Sequence, residues 1–538
     1  MADAEIIVTG GGSAGCAMAG RLAAAGVKVL LLEAGKTSEH IRLKVPALVS
    51  SVVQDTDFDW KYSAEPDPTI GGRSDAWAGG KRLGGGSSIN GMLYVRGHRW
   101  DYDHWAEMGA RGWAFEDVAP YFRRTESNSA GGGDYRGTTG PVGVSEGRVG
   151  YRMIGDWVKA AESWGVGRNP DHNGAQPGEG TDFAQNTQKN GLRSPATGYL
   201  KLPGARQNLR VELEARVLKI LVEDGRAAGV EYLQGGQTKR VMAQRGVVVS
   251  TGCLNTPRLL MLSGIGPAAE LKAFGIPVVL DAPAVGRNLQ EHVGVHLVNE
   301  VNIRTLNGDA RGLNLVRQMA SFLVRRSGIL TTSIGHAHAF VKSRAELPAP
   351  NLHLTFACFA FDLDEQGRLV LRKDNAVSTM VGLARPKSRG TVTLRSADPM
   401  APPVIRHQLL GVEDDAVQIA EGVEIARQIM AQPAVRPFVT SEVRPGAGVT
   451  GRALVDFVHM ASIPMYHPAG TCRMGSDGEA VVDPELKVRG LEGLWVCDNS
   501  VMPSLPVGNT NATALMIGDK GSDHVLRALR NTSMPSAA

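Results

Sequence analysis

The stretch at 5–35, EIIVTGGGSAGCAMAGRLAAAGVKVLLLEAG, constrains this chain more than any other. Residues 5–8 read as an apolar strand, and Gly10, Gly12 and Gly15 then form G-x-G-x-x-G. An Ala-rich run at 13–25 reads as a helix, and a second strand at 28–32 ends at Glu33. The first Gly turns the chain, the second lets the backbone approach a pyrophosphate, and the third lets helix pack on strand. The helix N-terminus offers free N–H groups and a positive dipole end to phosphate. Glu33 stands where a carboxylate can bind ribose hydroxyls. A lone G-x-G-x-x-G is a weak signal. Strand, helix, second strand and acid together predict a dinucleotide-binding α/β unit, without choosing between NAD and FAD.

The remaining composition mostly excludes. The 538 residues exceed one ordinary core and suggest two or more domains' worth of structure. Hydrophobic residues at 43% and charged residues at 21% are the balance of a globular chain. The net charge of +4 is small, and no Lys/Arg stretch with interleaved aromatics suggests a nucleic-acid partner. No run approaches the ~20 apolar residues of a membrane span. The five cysteines, Cys16, Cys253, Cys358, Cys472 and Cys497, include no CxxC pair, so neither a disulfide framework nor a metal site is expected. A reduced, cytoplasmic location fits them, and the opening residues lack a signal-peptide pattern. Residues 526–538 read as a flexible tail, and oligomeric state is left open.

Residues 80–103, GKRLGGGSSINGMLYVRGHRWDYD, form a second Gly-dense loop with apolar flanks, suited to close approach of backbone to a flat ligand. With GCLNTPRLLMLSGIG at 252–266, VGRNLQEH at 285–292, GTCRMG at 470–475 and VMPSLPVGNTNA at 501–512, it resembles the glucose–methanol–choline (GMC) flavoprotein oxidoreductases. The resemblance runs from residue 5 to about 525. Cys253, Glu291 and Asn499 depart from the family pattern.

The resemblance implies FAD in the cradle. Gly10, Gly12, Ser13, Ala14, Gly15, Glu33 and Ala34 would hold its ADP part, with the Val217 backbone at adenine. Arg82, Gly85, Gly86, Ser87, Asn90, Gly91, Met92 and Leu93 would run beside the pyrophosphate and isoalloxazine. Asp498 and Asn499 would lie near the ribityl chain, with Asn511, Ala512 and Thr513 opening a helix aimed at the flavin. Asn90 stands where some members carry a flavin-linking His, so noncovalent FAD is expected. The resemblance also implies an FAD-binding Rossmann-like domain from 1–155, 200–305 and 460–525. A substrate domain from 155–200 and 305–460 would be built on an antiparallel sheet covered by helices. Runs at 336–341, 351–361, 377–386 and 390–396 read as its strands, and 413–435 has helical spacing. His336 and His338 share one strand face, where packing is the better reading than metal.

Alcohol oxidation by flavin releases a hydride from carbon and a proton from oxygen. His is the side chain whose ordinary pKa suits taking that proton near pH 7. The resemblance places this base at His467 and its partner at Asn511, whose amide would steady the substrate oxygen. Asn511 could also simply cap the helix. Tyr466, His467 and Asn511 would line the substrate pocket. The expected reaction is oxidation of a primary alcohol to an aldehyde, with reoxidation by O₂ or another acceptor. A choline-type dehydrogenase or a non-redox lyase-like member is the alternative. The apolar and aromatic residues Met465, Tyr466 and 356–361 favour an uncharged aromatic or aliphatic alcohol over choline.

Overall fold

A computed structural model describes residues 4–363 and 369–531. The opening strand and helix form as Ala4–Thr9 and Ser13–Ala24, and the second strand as Val29–Leu32. Ile6, Val8 and Leu30 to Leu32 are all buried, the continuous apolar pattern of strands covered on both faces. They belong to a seven-stranded sheet whose parallel part runs Leu209–Glu212, Val29–Leu32, Ala4–Thr9, Gln237–Val249 and Leu494–Val496. The long strand Gln237–Val249 also pairs antiparallel with Arg226–Gln234, which pairs with Arg216–Glu223. One strand therefore carries a three-stranded meander out from the parallel core.

The helix Asn511–Asn531 packs on Ser13–Ala24 so closely that a Cβ on Gly518 would lie 2.3 Å from the Ala14 carbonyl oxygen. Beneath it, buried Asp519 accepts from Arg21 Nε at 3.0 Å and Tyr199 OH at 2.8 Å, and pairs with Arg124. The expected flexible tail is corrected here. Residues 526–531 continue this helix, with Val525 buried against the first core, while 532–538 lie outside the described residues.

The second seven-stranded sheet is antiparallel throughout. Its order is Val439–Arg444, Val293–Val301, Ala376–Leu383, Leu352–Ala357, Ala337–Val341 and Gly180–Phe183, with Ile463–Pro464 also pairing to Val293–Val301. The helices Arg152–Trp164 and Glu413–Met430 cover it through Trp157, Ile419 and Val423. Two sequence expectations shift. Val293–Val301 and Ile463–Pro464 sit in this sheet, although 200–305 and 460–525 were assigned to the cofactor domain. The strand expected at 390–396 forms as Thr391–Thr393 outside the sheet, paired with Val404–Arg406.

Candidate active site

A cavity of about 1550 Å³ is lined from both sheets, by Leu32 and Val217 on one side and by His296 and Met380 on the other. At the first-sheet end Gly10 turns with φ +90°, and a Cβ there would meet the Ser250 carbonyl oxygen at 2.4 Å. A Cβ on Gly15 would sit 1.9 Å from the Gly10 oxygen, so only Gly lets the helix seat on the loop. Gly12 and Gly86 instead open backbone to the cavity. A Cβ on Gly86 would meet nothing within 4 Å, and one on Gly12 only the Ser250 oxygen at 4.0 Å. The helix Ser13–Ala24 begins here without a side-chain cap, so its first N–H groups are available to an anion.

The remaining expected cofactor residues divide. Gly10, Gly12, Ser13, Ala14, Glu33, Ala34, Gly85, Gly86, Asn90, Gly91, Met92, Leu93, Val217, Asp498, Asn499 and Asn511 all line the cavity. Glu33 accepts from the N–H groups of Gly11 at 2.8 Å and Gly35 at 2.6 Å, so its carboxyl braces the loop while facing the cavity. Burial raises its pKa to about 7. Asp498 accepts from Gly252 N at 2.9 Å and Ser500 N at 2.8 Å and from the Thr256 hydroxyl at 2.6 Å; burial raises its pKa. Asn90 Oδ1 is held by Arg193 at 2.7 Å and by Met92 N at 3.1 Å.

Five expected residues do not reach the cavity. Gly15 lies beneath the loop. Arg82 turns away to pair with Asp57 and stack over Phe58. The Ser87 hydroxyl is spent on Gly84 O at 2.6 Å and Ala196 N at 3.0 Å. Ala512 packs in the core, and Thr513 bonds Tyr102 OH at 2.9 Å.

At the opposite side, Ile463–Pro464 pairs with Val293–Val301 and the chain then turns through Tyr466, whose φ is +62°. This left-handed turn, costly for a bulky residue, brings His467 to the cavity wall. The His467 backbone N–H donates to Glu291 Oε1 at 2.6 Å. Its ring is held at both nitrogens: Nδ1 lies 2.9 Å from His292 Nδ1, and Nε2 lies 3.1 Å from Asn509 Nδ2. His292 Nε2 in turn lies 3.0 Å from the Ala384 carbonyl oxygen.

A carbonyl can only accept, so neutral His292 carries its proton on Nε2 and offers the Nδ1 lone pair. His467 must then donate from Nδ1, leaving a lone pair on Nε2, where the Asn509 amide donates to it. The chain of acceptors thus assigns both tautomers. Burial, then the neighbouring His292 and His353, holds the His467 pKa well below the ordinary histidine value. Burial also pushes Glu291 well above the usual carboxylate range.

This arrangement corrects one expectation. Asn509, not Asn511, meets His467. Asn511 is the first residue of the C-terminal helix, and its Oδ1 accepts from Ser13 Oγ at 2.8 Å. Two residues along a chain entering a helix point in different directions. His292, Glu291 and Asn509 were missed as site residues, although VGRNLQEH and GNTN were both singled out as motifs.

A phosphate-binding loop and a tautomer-fixed histidine facing one cavity define a dinucleotide-dependent oxidoreductase. The chain belongs to the GMC oxidoreductase family: GMC oxidoreductase domain profiles match residues 4–294 and 386–518. It is 40% identical over 530 residues to the oxygen-dependent choline dehydrogenase of Brucella anthropi, covering 97% of this chain and 96% of that one. A formate oxidase of Aspergillus oryzae superposes with TM-score 0.90 at 26% identity, over 98% of this chain and 99% of that chain. Pyridoxine 4-oxidase from Mesorbium loti superposes with TM-score 0.87 at 26% identity, over 99% and 100%.

The chain is accordingly an FAD-dependent oxidoreductase acting on CH–OH donors. Its own residues fit that cofactor: backbone is bare at Gly12 and Gly86, and the buried Asn511 Nδ2 and Asn499 Oδ1 at the cavity lack partners that a polar ligand can supply. Among the described residues there is no cluster able to hold a metal, and no helix long and apolar enough to cross a membrane.

Proposed function

We propose that His467 is the base that takes the hydroxyl proton of a primary alcohol as it is oxidised to an aldehyde. The observation that carries this reading is the Nε2 lone pair of cavity-lining His467, fixed by the His292–Ala384 chain of acceptors and met by the Asn509 amide. When bound, FAD supplies the acceptor, at N5, for the hydride leaving the alcohol carbon. The hydroxyl proton passes to Nε2, and the imidazolium so formed keeps its Nδ1–H bond to His292. Asn509 orients the ring in the free site and can turn its amide donor to the developing alkoxide, the electrostatic assistance expected of such donors. Its Oδ1, buried without a partner, is free to follow. Asn511, bonded to Ser13, serves the cofactor side, as do the other cavity-lining residues of the two Gly-rich loops. With Asn90 engaged by Arg193 and no imidazole at that position, the flavin is held noncovalently.

The substrate body is apolar. Met380, Phe359, Met465 and Tyr466 line the second-sheet end, and the carboxylates lining the cavity are Glu33, Asp362 and Asp498. Glu33 and Asp498 brace loop amides, and Asp362 pairs with Arg372 at 2.8 Å. Among the described residues none remains to hold a quaternary ammonium, which argues for an uncharged reacting end over choline. The reduced enzyme is reoxidised by O₂ or another acceptor. The five thiols are all free and buried, in keeping with a cytoplasmic location.

Anaerobic mixing of the yellow holoenzyme with a panel of alcohols tests this reading. Benzyl alcohol and 1-alkanols should bleach the flavin faster than choline, and His467→Ala should slow bleaching by roughly two or more powers of ten while retaining FAD. Wild-type bleaching rates in that variant would remove His467 from the role.

A further inference from the structure

Four arginines line the cavity: Arg73, Arg216, Arg258 and Arg444. Three are committed to backbone carbonyls. Arg73 donates to Met460 and Ser462, Arg216 to Pro399, and Arg258 to Ala401 and Pro399. The Arg444 side chain makes no hydrogen bond or ion pair with any described residue, although its backbone lies in the ladder opposite Val298. The nearby acids are already engaged: Glu442 pairs with Arg427 at 2.7 Å, while Glu300 and Asp362 both pair with Arg372 at 2.8 Å. Among the described residues, Arg444 is thus the one cavity-lining arginine whose side chain has no protein partner.

Its place follows from strand register. His292 precedes the strand Val293–Val301, and alternate residues 292, 294, 296 and 298 share a face. His292 meets the base at one end of that face. His296 stands opposite Met380, which stands opposite Thr355 on the next strand. One row further, Val298 is flanked by Ser378 and Arg444. Of these, His296, Val298, Met380, Thr355, Ser378 and Arg444 line the cavity; His292 and Gly294 do not. His296 lies four residues from His292, about 13 Å along the strand, and Arg444 lies a row beyond. Burial, then the Arg444 charge, holds the His296 pKa down to about 4, so its ring is a neutral hydrogen-bonding group beside the guanidinium. The floor thus has a base at one end, Met380 and Val298 among small polar groups in the middle, and at the other end a guanidinium with no partner among the described residues.

We propose that Arg444, with His296 beside it, is a binding site for a carboxylate at the far end of the substrate, and that the preferred substrates are ω-hydroxy carboxylates. This rests on the alcohol-oxidation reading above and narrows its substrate class. A guanidinium fork matches a carboxylate in geometry as well as charge. The reacting hydroxymethyl end stays uncharged, and the anion never approaches the flavin.

Anaerobic flavin reduction should be followed with a series of ω-hydroxy carboxylates, the 1-alkanols of equal length and the matching amino alcohols. The wild-type holoenzyme should favour the hydroxy acid over its alkanol in kcat/KM at one best chain length, with the amino alcohol poorest. In Arg444→Gln that advantage should shrink roughly 10- to 100-fold, the scale of a lost charge-assisted hydrogen bond, and Arg444→Lys should keep part of it. Equal kcat/KM for acid and alkanol at every length, or a preference that survives Arg444→Gln, would overturn the proposal. A carboxylate of the best length without the hydroxyl provides a separate readout, binding to the oxidised enzyme with a flavin spectral shift that weakens in Arg444→Gln. Such binding without bleaching by any alcohol would uphold the anion site and refute alcohol oxidation. Absence of both would refute the two together.

Discussion

His172 offers a direct measure of how strongly this fold holds histidines neutral. It is 1% exposed, its ring nitrogens make no hydrogen bond with any described residue, and its ring lies edge-on to His338 at 5.2 Å. His338 Nδ1 meets His353 Nε2 at 2.7 Å, and the pKa of His353 is itself lowered to about 3, mainly by burial. Burial depresses His172 to about 4, against the opposing pull of Asp171. Unfolded, this residue takes up a proton near its ordinary value of 6.5; folded, it does so only near 4. Its contribution to stability is therefore whole above 6.5 and drains away as pH falls toward 4. Between pH 7 and pH 5 the linkage amounts to about 2 kcal/mol. Glu33, raised to about 7, works in the opposite direction over the same interval, so the slope of the wild type alone is a poor probe. The difference between wild type and His172→Leu isolates the one residue. At pH 7 the variant should be as stable as wild type or more so, since an unsatisfied buried polar group is replaced by an apolar one. At pH 5 its advantage should grow by about 2 kcal/mol. Urea unfolding of both holoproteins at the two pH values measures this. An advantage unchanged between pH 7 and pH 5 would refute the claim that burial keeps His172 neutral.

Three further outcomes follow from the site. Asn509→Ala should slow anaerobic flavin reduction by roughly 10²-fold or more with FAD retained, whereas Asn511→Ala should chiefly raise the FAD dissociation constant; the reverse pattern would exchange their roles. The acid limb of the kcat/KM–pH profile for alkanols should lie below 6.5, because the base is active when neutral and its pKa is depressed; a limb above 6.5 would contradict the burial of His467. Acid precipitation should leave yellow FAD in the supernatant, and colour in the pellet would show a covalent link that Asn90 cannot make.

The cofactor half of the molecule was legible because its chemistry is local. A turn, a helix start and an acid within 5–35 must cooperate through backbone geometry, and the Gly-rich loop at 84–91 announces itself by composition. The base was legible for a similar reason, since Pro468 and Gly470 flank His467 in a short motif. Its partners were not. His292 reaches His467 only because Val293–Val301 pairs with Ile463–Pro464, a contact between residues about 170 positions apart that no local pattern specifies. The same apolar strand could have joined either sheet, and its register with Ala376–Leu383 decided the matter. Asn509 and Asn511 look alike in GNTNA, and the entry into the last helix separates them. Arg82 and Ser87 carry polar groups suited to a cofactor, but neighbours only the folded chain supplies, Asp57 and Gly84 among them, claim them first.

The bond between Ser13 and Asn511 joins positions 498 apart. It ties completion of the pocket to a distant part of the chain. A growing chain makes its phosphate loop 498 residues ahead of the wall that closes over the same pocket. Until the helix Asn511–Asn531 docks on Ser13–Ala24, the pocket lacks both that wall and the Asn509 contact to the base. Completing the pocket thus needs a contact across 498 positions of sequence, and a chain cut short before residue 509 would keep its phosphate loop but lack the Asn509 contact to His467.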